Sequence, residues 1–306
     1  MAMTATSVET KKAKNCCGPE CCADEAPEAA AAPPAAAPER MVAEVREKYG
    51  RIAAEGGSCC GPNSCGGTSE IPVSLGIGYS PEELAALPEG ANLGLGCGAP
   101  LGALAPQRGE TVLDLGSGAG IDVLLAARAV GEEGRAIGVD MTPEMLKKAR
   151  ANAARVGAFN AEFREGRLEE LPVAGASVDA VTSNCVINLV PDKSKVFAEI
   201  ARVLKPGGRL VISDIVLDGE LPERIAKDVY AYVGCISGAA LRERYFGWLR
   251  KAGLAEIEVL KDVDYLALLK DTAPEEAGAV LERTGTKWEE VEGRVRSITF
   301  RARKAA

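Results

Sequence analysis

The sequence predicts an α/β protein on a doubly wound, mostly parallel sheet of seven strands with an antiparallel last strand. Three observations carry this expectation. Short apolar runs alternate with helical patterns from Thr111 onward, as in a parallel sheet covered on both faces. The first run, TVLDL, ends in the turn Gly116-Ser117-Gly118-Ala119-Gly120, and the second ends on Asp140. The closing segment RVRSITFRA alternates apolar and polar residues, which reads as a strand pairing antiparallel with its predecessor.

The elements follow in order. Residues 1 to about 40 are expected to be disordered: a polar start, the cluster Cys16-Cys17-Gly18-Pro19-Glu20-Cys21-Cys22, then an Ala/Pro tract through Pro38 that reads as a semi-rigid linker. A short helix is expected from Arg40 to Tyr49, with Met41, Val45 and Tyr49 on one side, followed by a loop bearing Cys59, Cys60 and Cys65. Thr111–Leu115 is the first strand, with a helix to Val130, and Arg135–Asp140 is the second. Thr142 is placed to cap the next helix, with Pro143 at its first position. Ala161–Gly166 and Val178–Asn184 are the third and fourth strands. Asp192–Leu204 is an amphipathic helix stopped by Lys205-Pro206-Gly207-Gly208, and Arg209–Ile215 is the fifth strand. Helical stretches follow near Pro222–Val233 and Ala239–Ala252, then strands at Ala255–Lys261 and Arg294–Ala302. The roughly thirty residues between those two strands read as a helical insertion. The chain thus divides into a Cys-rich tail (1–40), an α/β domain with an N-terminal Cys loop (41–261) and the helical insertion with the last strand (262–306).

Composition bounds the function. The chain has 306 residues, 47% apolar and 26% charged, the proportions of a soluble globular protein. Thirty-six basic against 44 acidic residues give a net charge of −8, which argues against nucleic acid or an anionic membrane as the main partner. No apolar run approaches the roughly 18 residues of a membrane span. The N-terminus lacks a secretory pattern, so a cytoplasmic location is expected. Histidine is absent, which removes Ser-His and Cys-His nucleophile pairs and the commonest general base. The ten cysteines point, in a reducing compartment, to soft-metal binding or redox work.

The glycine turn sits between a strand and a helix, where bare backbone and free N–H groups receive a ligand. Asp140, twenty residues past Gly120, stands where an acidic side chain accepts both ribose hydroxyls of a nucleoside cofactor. A dinucleotide fold usually spells G-x-G-x-x-G; here the spelling is G-x-G-x-G preceded by Asp114. That resembles the class I S-adenosylmethionine-dependent methyltransferases, as do GRLEELP (166–172) and LKPGGRL (204–210). The resemblance implies S-adenosylmethionine as cofactor. It places Asp114, Gly116, Ser117, Gly118 and Gly120 toward its methionine part, Asp140 and Met141 at the ribose and adenine, Arg167 and Leu168 beside the adenine, and Asn184 between cofactor and acceptor.

Cys97, Cys185 and Cys235 lie in LGLGCGAP, NCVINL and GCISGA. A lone cysteine is usually a small buried hydrophobe, but Cys185 follows the fourth strand, and ligands bind beyond the carboxyl ends of such strands. The segments NCVINLVPDK, GYSPEELAALPEGANLGLGCG and VGCISGAA are closely similar to those of the arsenite S-adenosylmethionine methyltransferase family, from about Val42 to Lys270 and again at the last strand. The resemblance implies that Cys97, Cys185 and Cys235 bind trivalent arsenic and carry the chemistry. An upstream cysteine completes the set: Cys60, or else Cys59 or Cys65. Arsenite is thiophilic and thiolates are soft ligands, and its lone pair has no proton to lose, so no histidine base is needed. The expected partners are arsenite or its thiol conjugates and a reductant such as glutathione or thioredoxin, with neither nucleic acid nor membrane. Two alternatives stay open: methylation of a quinone or other small organic acceptor, and a non-catalytic thiol-rich metalloid-binding protein. The Cys16–Cys22 cluster reads equally as an arsenic trap or a dispensable segment, and also fits a small zinc- or copper-binding tail.

Overall fold

A computed structural model of the chain describes residues 38–55, 70–228, 235–272 and 274–306. The Cys16–Cys22 cluster, Cys59, Cys60, Cys65 and nearly all of the expected disordered tail lie outside the described residues. The strands are β1 (Thr111–Leu115), β2 (Arg135–Asp140), β3 (Ala161–Glu165), β4 (Val178–Asn184), β5 (Leu204–Leu217), β6 (Ala240–Leu241), β7 (Leu254–Asp264) and β8 (Val295–Lys304). Seven form one path, β3-β2-β1-β4-β5-β8-β7, and β6 pairs with β5 off that path. The first five pair in parallel, with Leu113 opposite both Ile137 and Val181. β8 inserts antiparallel between β5 and β7. The expected seven strands are therefore joined by an eighth, too short at two residues to show a period.

The central strands of the sheet are buried on both sides, as their apolar sequences require. Val112, Ala136, Ala180 and Val211 pack on one face beneath α4 (Pro100–Leu104), α5 (Ile121–Val130) and α6 (Pro143–Val156). Leu113, Ile137, Val181 and Ile212 face the other way, toward α7 (Lys193–Val203) and α9 (Arg242–Lys251). On that second face Phe197, Tyr245, Phe246 and Phe300 make edge-to-face contacts, with Tyr245 5.1 Å from Phe197 and 5.9 Å from Phe300. The remaining helices are α1 (Pro38–Glu55), α2 (Glu70–Ile77), α3 (Pro81–Ala85), α8 (Glu223–Ala226), α10 (Tyr265–Thr272) and α11 (Pro274–Thr284). The last two fill the expected helical insertion. No helix among the described residues is long and apolar enough to cross a membrane.

Several boundaries differ from the sequence expectation, each for a physical reason. The first helix runs on past Tyr49 to Glu55, because its apolar face continues through Ile52 and Ala53 onto Met145. The Lys205–Gly208 turn is part of β5. Leu204 pairs with Val178 and Arg209 with Ala180, so four residues bulge opposite Asp179, whose carboxylate takes Lys205 Nζ at 2.7 Å. Thr142 occupies the cap of α6 but makes no capping hydrogen bond; its hydroxyl turns to Asp140 instead. Of the stretch expected to be helical near Pro222–Val233, only Glu223–Ala226 is helix among the described residues. Ala240 and Leu241 leave the next helix to pair with Val216 and Leu217.

Phe300 is fully buried in the aromatic cluster, against Tyr245 and Phe246. Phe300→Ala is expected to lower unfolding free energy by about 3–5 kcal/mol, read as a lower urea midpoint at unchanged slope.

Candidate active site

A cleft of about 1300 Å³, its open mouth included, lies at the carboxyl ends of β1, β2 and β4, where open α/β sheets bind ligands. Its floor is the glycine turn. Gly118 has φ +50, and open space stands where its side chain would be, so backbone alone faces the cleft there. Gly118 N donates to Asp140 Oδ2 at 2.9 Å and Thr142 N donates to Oδ1 at 2.8 Å. These bonds, together with those from the Thr142 hydroxyl and the Met141 amide, fix the carboxylate in place. Asp140 and Met141 line one wall, Arg167 and Leu168 another. Gly116 and Ser117 also line the cleft. Gly120 is set apart from the wall: it caps α5 and backs onto the Phe163 ring.

Asp114, 4% exposed, lines the cleft, and no hydrogen bond reaches its carboxylate among the described residues. Burial first, then Asp122 and Asp140, push its pKa well above the ordinary carboxylate value. Asp122 also lines the cleft, and burial raises its pKa to about 6. Buried carboxylates without a cation are costly, so this end of the cleft is built for a positively charged ligand. The ammonium and sulfonium of S-adenosylmethionine meet that requirement, and the bare Gly118 backbone and the fixed Asp140 carboxylate suit the rest of such a ligand.

The other end of the cleft is sulfur. Cys185 and Cys235 line it, Cys185 half-buried and Cys235 buried. Both have left-handed backbones, at φ +61 and +64, two of five such non-glycine residues among those described. That conformation is disfavoured for side-chain-bearing residues and concentrates at functional sites. Cys235 Sγ donates to the Cys185 carbonyl at 2.9 Å. The Cys185 thiol stands between those of Cys235 and Cys97, and hydrogen bonding with them, reinforced by burial, raises its pKa well above the ordinary thiol value. Burial raises that of Cys97 too. The three expected thiols therefore converge, and Cys97 and Cys185 favour the neutral form. Among the described residues no three Cys, Asp or Glu side chains stand as a ready-made metal cage; the thiols meet pairwise through Cys185.

Cys97 itself is held by its backbone. Asn184 Oδ1 accepts from Cys97 N at 3.0 Å and Gly98 N at 3.2 Å, while its Nδ2 donates to Gly98 O at 2.6 Å. Ser297 Oγ donates to Cys97 O at 2.7 Å. Gly98 lies flat on the sheet end, where a Cβ would stand 2.3 Å from Ser213 Oγ. Asn184, expected to touch cofactor or acceptor, lines the cleft while clamping the Cys97 loop.

Sequence reasoning missed three groups. Tyr79 and Asp122 are described below. The third is a network under the thiols: Asp214 accepts from Tyr245 Oη at 2.8 Å, Asn188 Nδ2 at 2.9 Å and Ile215 N at 2.9 Å. An aspartate inside the apolar run VISDIV was the available signal, since a buried charge needs partners.

Fold and cleft together are those of a class I methyltransferase domain. The family model described as "Methyltransferase domain" matches residues 106–253. An arsenite methyltransferase of Halobacterium salinarum is 46% identical over 72% of this chain and 59% of its own length. One of Aquipseudomonas alcaligenes is 37% identical over 72% and 64%. The crystal structure of an arsenic(III) S-adenosylmethionine methyltransferase from Chlamydomonas reinhardtii superposes with a TM-score of 0.55 at 31% identity, covering 76% of this chain and 73% of that one. The chain belongs to the arsenite methyltransferase family. It spans about six-tenths of the length of the two curated relatives.

Burial raises the pKa of Asp214 to about 7 from the ordinary 3.8. The native state thus holds more protons than the unfolded chain between those values, and stability falls as pH rises through that window. Asp214→Asn is expected to shrink the drop in melting temperature between about pH 5 and pH 8. Asp122 leaves a residual slope over the lower part of the window.

Proposed function

We propose that the chain transfers methyl groups from S-adenosylmethionine to trivalent arsenic bound by Cys97, Cys185 and Cys235. The observation that carries this reading is the pair of strained cysteines, Cys185 and Cys235, set beside an acidic cofactor cleft with Cys97 in hydrogen-bonding reach. Asp114 and the Gly116–Ser117–Gly118 turn would hold the methionine end, with Gly120 shaping that turn. Asp140 and Met141 would hold the ribose and adenine, Arg167 and Leu168 would border the adenine, and Asn184 would stand between cofactor and acceptor. When bound, the cofactor supplies a methyl group on a sulfonium.

Neutral thiols at Cys97 and Cys185 suit arsenite. Each As–S bond forms as an As–O bond breaks, and the thiol proton leaves with the hydroxide as water. Three thiols and arsenous acid thus give three waters, and no base is required. Arsenic held by three sulfurs keeps its lone pair on the side away from them, the nucleophile a methyl group needs. The residues contribute soft ligation and orientation. Methyl addition leaves formally pentavalent arsenic. Two thiols of glutathione, thioredoxin or the chain itself return two electrons and become a disulfide. That step needs reduced thiols, which fits the cytoplasm. Cys60, or else Cys59 or Cys65, would complete the arsenic set.

Two predictions test the two ends of the cleft. Cys185→Ser and Cys235→Ser are each expected to abolish arsenite methylation while S-adenosylmethionine affinity stays unchanged, because a hydroxyl is a harder ligand than a thiol and a poor match for thiophilic arsenic. Product speciation with labelled cofactor checks this, and a wild-type rate in either variant would show that arsenic does not need that sulfur. Asp140→Ala is expected to weaken S-adenosylmethionine binding. Charge-assisted bonds of about 1.5–3 kcal/mol each correspond to roughly tenfold or more in Kd, measured by calorimetric titration.

A further inference from the structure

Tyr79 belongs to neither end of the proposed chemistry, yet it is buried and its hydroxyl joins the two. It donates to the Asp122 carboxylate, 2.9 and 3.0 Å from the two oxygens, and accepts from Asn184 Nδ2 at 3.1 Å. Asp122 lines the cofactor end beside Asp114. Asn184 holds the Cys97 loop through the three bonds described above. An unbroken hydrogen-bonded chain therefore runs from the acidic end of the cleft, through one phenol, to the backbone of an arsenic ligand. The phenol is fixed in place: Tyr79 N bonds Ser74 O at 3.1 Å, and the next residue opens α3 with a reciprocal cap, Ser80 with Glu83. A buried hydroxyl is tolerated only when partnered, and here both partners belong to the functional site.

We propose that Tyr79 is a positioning residue that couples cofactor binding to arsenic binding by transmitting occupancy of the Asp114–Asp122 end to the Cys97 loop. A cation beside Asp122 favours its ionised form and polarises the Tyr79 O–H toward it. The phenol oxygen then accepts more strongly from Asn184, since hydrogen bonds in a chain reinforce one another, and Asn184 grips Cys97 and Gly98 in turn. The other ionisable groups bearing on Asp122 are Asp114 and Glu83. By linkage the coupling is reciprocal: arsenic on Cys97 must tighten the cofactor by the same factor. The inference rests on the function proposed above.

The test is arsenite binding to the full chain, with and without saturating sinefungin, a cationic analogue of S-adenosylmethionine with no methyl to transfer. In the wild type sinefungin is expected to tighten arsenite binding by about fivefold or more. In Tyr79→Phe both ligands are expected to bind separately, with the ratio of arsenite affinities falling to near unity. A merely structural defect would shift arsenite affinity equally with and without sinefungin. If Tyr79→Phe retains the wild-type ratio, or the wild type shows none while binding both ligands, the coupling is wrong. If the wild type fails to bind arsenite or sinefungin alone, the functional reading itself falls. Should thermal melting show Tyr79→Phe unfolded, Asp122→Asn is read instead, with sinefungin titrated separately and raised until it saturates that variant, because the change also removes a charge from the cofactor end; its amide oxygen still accepts from Tyr79. Loss of the ratio there supports the coupling, and retention overturns it.

Discussion

The Asn184 side chain is the constraint on which the candidate site depends. It uses both lone pairs of its oxygen and both hydrogens of its nitrogen: two bonds to the amides of Cys97 and Gly98, one to the Gly98 carbonyl and one to Tyr79. The loop it holds lies more than eighty residues upstream, before the first strand of the sheet. Without that clamp two amides and a carbonyl would be left buried and unpaired, at about 1–3 kcal/mol each. The sheet completes the seat. Ser213 leaves no room for a side chain at Gly98, Ser213 is itself bonded to Thr299 at 2.8 Å, and Ser297 takes the Cys97 carbonyl. β8 reaches this end of the sheet only because it runs antiparallel, and its first residues carry both hydroxyls.

The strain at Cys185 and Cys235 has a matching logic. Left-handed backbone at a non-glycine residue costs on the order of 1–3 kcal/mol and persists only where the surroundings insist. At Cys185 they do: its amide is tied to the Ser213 carbonyl at 2.8 Å while its own carbonyl takes the Cys235 thiol. The chain thus leaves β4 abruptly and turns its thiol toward the other two instead of continuing the strand. The buried polar network on Asp214 lies below, with Asn188 and Tyr245, so the turn rests on hydrogen-bonded structure.

How much of this was legible in the sequence follows from range. β1, β2 and β4 have the boundaries their patterns predict, because period and turn residues are local signals. So are the glycine turn and Asp140, which the fold brings together through the Gly118 amide. The three cysteines were found by segment resemblance, and their convergence is a property of the fold alone. What escaped was long-range pairing. Tyr79 meets Asp122 across forty-three residues, and nothing around either residue announces it. The Lys205–Gly208 bulge escaped for a different reason: proline and glycine signal a stop locally, but pairing with β4 resumes beyond them. Gly50 misled in the same way. It reads as a helix end, yet it marks a close approach, where a Cβ would meet the Glu144 carboxylate at 3.2 Å.

The charge pattern of the cleft explains how a chain without histidine can serve the proposed reaction. One end gathers Asp114, Asp122 and Asp140 with no basic partner bonded to any of them among the described residues; the other gathers three thiols, of which burial raises the pKa of Cys97 and contact with its neighbours that of Cys185. Each end matches one reactant as it exists near neutral pH. The carboxylates gain the countercharge they lack when a cationic cofactor enters. In the proposed reaction the thiols would exchange with an uncharged arsenic acid, whose departing hydroxides would remove their protons. Neither exchange needs a group that shuttles protons to solvent. An imidazole placed at the first end would bring a competing cation to the carboxylates, and at the second it would favour thiolates before arsenic arrives. Thiolates are the forms most open to oxidation, so holding Cys97 and Cys185 protonated until a substrate displaces the protons would protect the site between turnovers of the proposed reaction.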